Sequence, residues 1–263
     1  MLKTRLIPVI LLKDGNVVKS KNFKSYQFVG NPFEDVDRFN QWKVDELIYL
    51  NINGSFDLSY SYRPDSNIDS EYSTIGLIKK INKICFMPLV WGGGIRKLKQ
   101  IEDVLLNGAD KVSLNSMFYE NPHLIHEASK KFGSQAIIIN LDIKLENGSY
   151  NLYSNNGNKK KNIEIKEAVK ELEKLNVGEI LLHDISRDGS GEGYNIEILK
   201  FIKSITNRKI IILGGIGSYD QFVDGARNGA SGLASANIWH FKELVDTNAK
   251  KILFSNNINV RNY

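Results

Sequence analysis

The sequence predicts one closed (β/α)8 barrel over residues 1–263, made of two similar half-barrels. Three observations carry that expectation. Short β-branched runs alternate with segments of helical spacing through eight units, with no linker-like stretch between them. Runs such as Ile210-Ile211-Ile212-Leu213 and Ile137-Ile138-Ile139 are continuously apolar, as strands covered on both faces are. Displacing the chain by 121 residues then superposes two segments without a gap. Gly93-Gly94-Ile95 falls on Gly214-Gly215-Ile216, Gln100 on Gln221, Asp103 on Asp224, and Asn107-Gly108-Ala109 on Asn228-Gly229-Ala230. With gaps, Lys13 also pairs with Lys144 and Glu46 with Glu179. An open doubly wound sheet is the rival. The repeat favours the barrel, because a half-barrel cannot close its own sheet edges and needs its twin.

Taken in order, the strands are expected over 6–12, 46–52, 85–91, 111–114, 136–143, 179–184, 210–213 and 232–234. Helical spacing lies between them over 33–42, 73–82, 98–107, 122–132, 163–175, 196–205 and 220–228, with a final helix over 241–248. Asn31-Pro32 and Asn121-Pro122 each set a capping residue before a first-turn proline, which fits the start of the first and fourth of these helices.

Composition excludes several classes. Apolar residues at 42% and charged residues at 25% suit a globule with a large core, and 21 Gly with 5 Pro exclude collagen-like or low-complexity architecture. No apolar stretch approaches the ~18 residues of a membrane span, and Met1-Leu2-Lys3-Thr4-Arg5 lacks a signal peptide's apolar block. The single Cys85 suits a reducing cytoplasm, and its apolar run Ile84-Cys85-Phe86-Met87 reads as buried and inert. The net charge is +5, but the lysines are scattered. The dense run Lys159-Lys160-Lys161 sits in a Gly/Asn-rich loop and reads as solvated, not as a nucleic-acid footprint.

Glycines just after a parallel strand let the backbone approach an anion, and the following helix start offers unpaired N–H groups. Gly92-Gly93-Gly94 and Gly214-Gly215 have that placement; Asn115-Ser116 and Ala236-Asn237, one strand further on, would complete each cradle, and Gly189 would add an amide to the second. Either cluster alone also reads as a tight loop, but two at equivalent positions suggest a ligand with a phosphate at each end. Asp142 closes the fifth strand, at the barrel end where active sites form; it reads as a general acid or base, or as a residue capping a loop. Asp188 lies on a glycine-rich loop and reads as an Asx turn. His183, Asp184 and Ser186 lie too close together for a hydrolytic triad, and His123, His126, His183 and His240 form no metal-ligand pattern, so no metal or cofactor is expected. Arg5, Glu46, Lys111 and Glu179 stand at the starts of the first, second, fourth and sixth strands, and a stabilising plug at the barrel floor is the plain reading.

Together these residues resemble the cyclase subunit of imidazole glycerol phosphate synthase, an enzyme family of histidine biosynthesis. The resemblance rests on Arg5-Leu6-Ile7-Pro8, Lys13-Asp14-Gly15 with Val17-Val18-Lys19, Asp45-Glu46-Leu47, Gly92-Gly93-Gly94-Ile95, Gly108 to Ser113, Arg187-Asp188-Gly189 and Gly193-Tyr194. It implies a barrel fed with ammonia by a separate glutaminase docked at its floor, and a two-phosphate ribonucleotide held between the cradles above. Ammonia attacks that ligand, giving an imidazole and releasing an aminoimidazole nucleotide. By the same resemblance, Arg5, Glu46, Lys111 and Glu179 become the ammonia gate, Asp110 faces the glutaminase, and Lys19 belongs to a flexible loop over the substrate. The family uses two aspartates as its acid/base pair. Asp142 matches the second, but the first position is Leu11, which carries no proton. Asn51, His183, Ser186 and Trp91 also depart from the family, and the segment around 57–70 looks inserted. Gate and cradles retained around an altered mouth resemble a branch of these cyclases in surface-polysaccharide or flagellin-sugar pathways, which work with a glutaminase and a sugar amidotransferase. A histidine-pathway cyclase, a non-catalytic ammonia scaffold and a barrel isomerase are the alternatives.

Overall fold

The computed structural model describes residues 3–58 and 73–261. Strand β1 (Arg5–Lys13) leads into an antiparallel pair, β2 (Asn16–Lys21) and β3 (Ser25–Gly30), and then helix α1 (Pro32–Trp42). There follow β4 (Leu47–Asn51), α2 (Thr74–Ile84), β5 (Leu89–Gly92), α3 (Leu98–Leu106), β6 (Lys111–Leu114), a short α4 (Ser116–Glu120) and α5 (Pro122–Phe132). The second half repeats the plan with β7 (Ile137–Glu146), the antiparallel β8 (Ser149–Ser154) and β9 (Lys159–Lys160), and α6 (Ile165–Lys174). It ends with β10 (Glu179–Asp184), α7 (Ile196–Lys203), β11 (Lys209–Leu213), α8 (Gln221–Arg227), β12 (Gly232–Ser235) and α9 (Val245–Ser255). Eight strands close a ring in the order β1, β4, β5, β6, β7, β10, β11, β12 and back to β1, each parallel to its neighbours. The (β/α)8 barrel is therefore closed.

Alternation along each strand divides two cores. Ile7, Val9, Leu11, Ile48, Val90, Ile138, Leu181, Ile211 and Ala234 form the cluster inside the barrel, while Leu6, Ile10, Leu12, Tyr49 and Trp91 pack outward under the helices. The helices start where the caps direct. The Asn31 side chain accepts from the Phe33 and Glu34 amides with Pro32 in the first turn, and Asn121 accepts from the Leu124 amide beside Pro122. Among the described residues no helix is long and apolar enough to cross a membrane.

The two-fold repeat extends to individual hydrogen bonds. Gln100 Oε1 accepts from the Arg96 and Lys97 amides at 2.8 and 3.0 Å; Gln221 Oε1 accepts from the Gly217 and Ser218 amides at 2.8 and 3.1 Å. Asn107 and Asn228 each donate to the carbonyl four residues back, Asp103 and Asp224. Asn115 and Ala236 share one backbone conformation, with φ of −112° and −106° and ψ of −73° in both.

Several expected boundaries move. The third barrel strand starts at Leu89, not at residue 85, because α2 runs to Ile84 and the Cys85 amide donates to the Ile81 carbonyl at 2.9 Å. Phe86 is exposed and Cys85 half-buried, its thiol pushed up by burial. The last helix starts at Val245, not 241, because Leu244 adopts a left-handed conformation (φ 49°) that no helix contains. Lys159 and Lys160 are exposed but paired with β8 rather than lying in a loop. The antiparallel strands β2, β3, β8 and β9 escape the sequence reading although Asp14-Gly15 and Asn147-Gly148 signal the turns that lead from β1 into β2 and from β7 into β8; all four residues take positive φ, as such two-residue turns require. The expected insertion around 57–70 lies mostly outside the described residues.

Candidate functional site

The C-terminal ends of the strands surround a cavity of about 890 Å3, counting its open mouth. Its wall draws on both hairpins and on five barrel strands: Leu11, Leu50, Ser113, Asn140, Asp142 and His183 come from or beside the strands, Phe23 and Tyr26 from the first hairpin, and Asn155 and Asn156 from the turn of the second. This is where a parallel barrel collects side chains for chemistry. Asp142 is buried (4% exposed) and lies at the cavity, as expected. Its Oδ1 accepts from Asn140 Nδ2 at 3.0 Å and lies 3.3 Å from Nδ1 of His183. His183 and Asp184 end β10, and the Asp142–His183 pairing is the parallel register of β7 and β10. The Phe23 ring packs on the imidazole, with centroids 5.1 Å apart. Leu11 faces the same cavity.

Of the first cradle, Gly93, Gly94, Asn115 and Ser116 all line this cavity. Gly93 has φ 106°, and a Cβ there would sit 2.0 Å from the Asn51 carbonyl oxygen, so only glycine lets the loop after β4 lie across it. Asn115 Nδ2 donates to the carbonyls of Asn140 and Tyr153, and Ser116 Oγ to Asn155 Oδ1 at 3.0 Å, so both brace the second half-barrel as well. Arg96 opens onto the cavity and pairs with Glu120.

Gly189, Gly214, Gly215, Ala236 and Asn237 gather on the other side, outside the cavity's lining. The first hairpin lies over them: Asn237 Nδ2 donates to the Ser20 carbonyl at 2.7 Å, and a Cβ on Gly189 would meet that same oxygen at 2.8 Å. Asp188 makes no Asx turn here; it accepts from Ser20 Oγ at 2.6 Å and from the Phe23 amide at 3.0 Å, clasping the hairpin to the barrel. Burial, with the nearby Asp188 charge, pushes the Tyr26 hydroxyl up. Lys19 is not in a flexible loop but in β2, its ammonium 4.4 Å from the centre of the Phe241 ring.

At the opposite end, the four expected charges meet. Lys111 Nζ lies 2.7 Å from Glu46 and 2.8 Å from Glu179, and the Arg5 guanidinium bridges the same two carboxylates. Each acid therefore touches both bases, and the apolar interior rises directly above. Burial would raise the Glu179 carboxyl, but Arg5 and Lys111 outweigh it and hold it below the usual range. Asp110, beside the ring, is exposed and accepts from the Leu89 amide at 2.8 Å. A surface depression bounded by Lys3, Arg5, Lys111, Glu179 and Arg261 opens under the ring.

The sequence pattern of the family described as histidine biosynthesis protein matches residues 5–245. The chain is 36% identical over 263 residues to the imidazole glycerol phosphate synthase subunit HisF of Hydrogenobaculum sp. (strain Y04AAS1), covering 99% of this chain and 100% of the relative. It is 33% identical to the HisF subunit of Thermotoga sp. (strain RQ2), over 99% of this chain and 98% of that one. It is 38% identical to a Vibrio vulnificus (strain YJ016) protein designated putative subunit hisF2 of that synthase, over 99% and 92%. The chain belongs to the HisF-type histidine biosynthesis family.

Within this HisF-type barrel the departures fall in two groups. Leu11, Asn51 and His183 line the cavity. Trp91, grouped with the departures around an altered mouth, does not reach it: it points outward, fully buried and stacked on Tyr49 at 5.9 Å. Strand alternation decides this, since Gly92 rather than Trp91 faces inward. Ser186 accepts from the Leu145 amide and ties the turn after β10 to the end of β7. Sequence reasoning misses Phe23, Tyr26, Asn155 and Asn156, all carried by the hairpins. It also passes over Arg96, whose charge beside a glycine turn is a usable signal.

Proposed function

We propose that this chain is the cyclase-type subunit of a glutamine-dependent synthase: it takes ammonia from a glutaminase docked under Arg5, Glu46, Lys111 and Glu179, leads it through the barrel, and adds it to a phosphorylated ligand in the upper cavity. The observation that carries this is the closed ring of four charges beneath an apolar interior, with Asp142 at the other end. A ring of charges admits a neutral small molecule only by local opening, while Ile7, Val9, Ile48, Val90, Ile138, Leu181 and Ile211 disfavour a charged ammonium beyond it. In this reading Asp110 contributes to the glutaminase contact. Gly93, Gly94, Asn115 and Ser116 hold a phosphate; Gly189, Gly214, Gly215, Ala236 and Asn237 hold a second once the hairpin bearing Lys19 lifts. No cofactor or metal is called for. The test is glutamine hydrolysis by a HisF-partner glutaminase with and without this chain. Stimulation and co-purification are expected; neither occurring overturns the proposal.

Leu11 in the cavity wall favours a paralogue that aminates a surface sugar, with a sugar amidotransferase as further partner, over the histidine-pathway cyclase. Losing one acid/base group costs about 10²–10⁴-fold in rate. The two-phosphate ribonucleotide of histidine synthesis with ammonium salt should therefore give little cyclised product. Brisk turnover sinks this finer reading. Undiminished product formation by an Asp142→Asn variant in the reconstituted pathway would instead favour a passive scaffold.

A further inference from the structure

We propose that His183 and Asp142 form an acid–base dyad in which His183 Nε2 is the proton-transfer atom of the upper cavity. The inference rests on the reading above that ammonia enters this cavity. Three geometric facts carry it. Asp142 Oδ1 lies 3.3 Å from Nδ1 of His183, and both side chains are 6% exposed, so carboxylate and ring face each other out of water. Asn140 Nδ2 donates to the same Oδ1 at 3.0 Å and fixes the carboxylate, while the Phe23 ring, 5.1 Å away, limits tilting of the imidazole. The second ring nitrogen, Nε2, has no protein partner among the described residues, and it is not among the buried polar atoms left unpaired, although the residue lines the cavity. A carboxylate on Nδ1 selects the tautomer with the proton there and leaves the Nε2 lone pair for the ligand.

Asn140 Oδ1 and Ser113 Oγ are buried, unpaired and part of the same cavity wall. Both are acceptors without a donor but are closed off from solvent, so the proton transfer itself falls to His183. When ammonia adds to an electrophilic carbonyl carbon, a C–N bond forms and the carbonyl π pair moves to oxygen. The surplus proton on nitrogen passes to Nε2, the imidazolium is steadied by Asp142, and the proton is returned to that oxygen. No outside oxidant or reductant is needed.

The deciding measurements need no substrate. In 15N-histidine-labelled protein, the His183 signals, identified by their loss in His183→Gln, should show a protonated Nδ1 and an unprotonated Nε2. That pattern should be lost in Asp142→Asn, with circular dichroism reporting that the fold persists. Diethyl pyrocarbonate, which acylates an unprotonated accessible imidazole nitrogen, should modify His183 in the folded protein and do so more slowly in Asp142→Asn. A purely structural pair would show the tautomer but leave His183 protected from the reagent. A proton on Nε2, or such protection, overturns the dyad. A chain that stimulates its glutaminase yet fails here loses the dyad and keeps its ammonia role; a chain that passes here without stimulating a glutaminase keeps the dyad and loses that role.

Discussion

Replacing Glu46 by Gln tests the charged ring at the barrel floor. The Glu46 side chain is 1% exposed and contacts both Arg5 and Lys111, which are 21% and 19% exposed. An exposed ion pair contributes at most about 1 kcal/mol, whereas removing one partner of a buried pair costs about 3–5 kcal/mol. With the acid buried and the bases partly wet, the cost should fall between these, at about 3 kcal/mol. Lys111→Met alone should cost somewhat less, about 2 kcal/mol, because Arg5 still bridges Glu46 and Glu179. The double variant should be destabilised by less than the sum, by more than about 1 kcal/mol, since neither partner is then left buried without the other. Urea unfolding of the four proteins at pH 7 gives the cycle, with the denaturant slope checked for constancy. A Glu46→Gln variant within about 0.5 kcal/mol of the parent, or strict additivity, would refute the claim that these charges are coupled. Acid adds a check: the lowered Glu179 carboxyl contributes stability that is present above the ordinary glutamate range and lost as pH falls through its folded value. Glu179→Gln should remove that loss.

Gly93→Ala should destabilise by more than about 2 kcal/mol and disorder the first cradle, whereas Gly148→Ala, at φ 76° with nothing within 4 Å, should cost only about 1 kcal/mol; thermal melts separate them. Lys250 is fully buried, with Nζ 2.9 Å from the Lys43 carbonyl and 3.2 Å from Asp45, so Lys250→Met should cost about 3 kcal/mol in urea unfolding by leaving buried Asp45 with only the Leu6 amide and the more distant Arg261. Burial raises the Asp35 carboxyl to about 6 and, with the Arg38 and Lys19 charges, pushes His240 down to about 4. The Asp35 contribution is complete below its unfolded value and fades as pH rises through 6, whereas that of His240 is complete above 6.5 and fades as pH falls toward 4. Between pH 7 and 4 the two oppose each other by amounts on the order of 2 kcal/mol each. Melting curves of Asp35→Asn should then lose stability on acidification more steeply than the parent, and those of His240→Gln less steeply.

Much of the molecule is legible in the sequence because much of it is local or periodic. Continuous apolar runs signal strands covered on both faces, Asn-Pro pairs fix helix starts, and the displacement that superposes Gly93-Gly94 on Gly214-Gly215 also superposes the Gln100 and Gln221 hydrogen bonds. The floor charges are legible too, since each begins a strand and parallel strands of a closed barrel bring their starts together. The hairpins are not, because their strands are short and only the Asp14-Gly15 and Asn147-Gly148 turns that lead into them announce them. Residues 85–88 mislead because an apolar run at a helix end resembles a strand when no partner is specified.

The sequence by itself determined the alternation of strands and helices, the two-fold plan and the placing of Arg5, Glu46, Lys111 and Glu179 at strand starts, since periodicity and the gapless repeat are local and favour a closed barrel over an open sheet. Only the tertiary structure decided which way each strand's side chains turn and where the hairpins lie. It sent Trp91 outward against Tyr49, set His183 against Asp142, and separated one glycine cradle from the cavity with Ser20. The physical reason is that a one-residue change of register exchanges the inside of a barrel for its outside, and that register is held by neighbours distant in the chain.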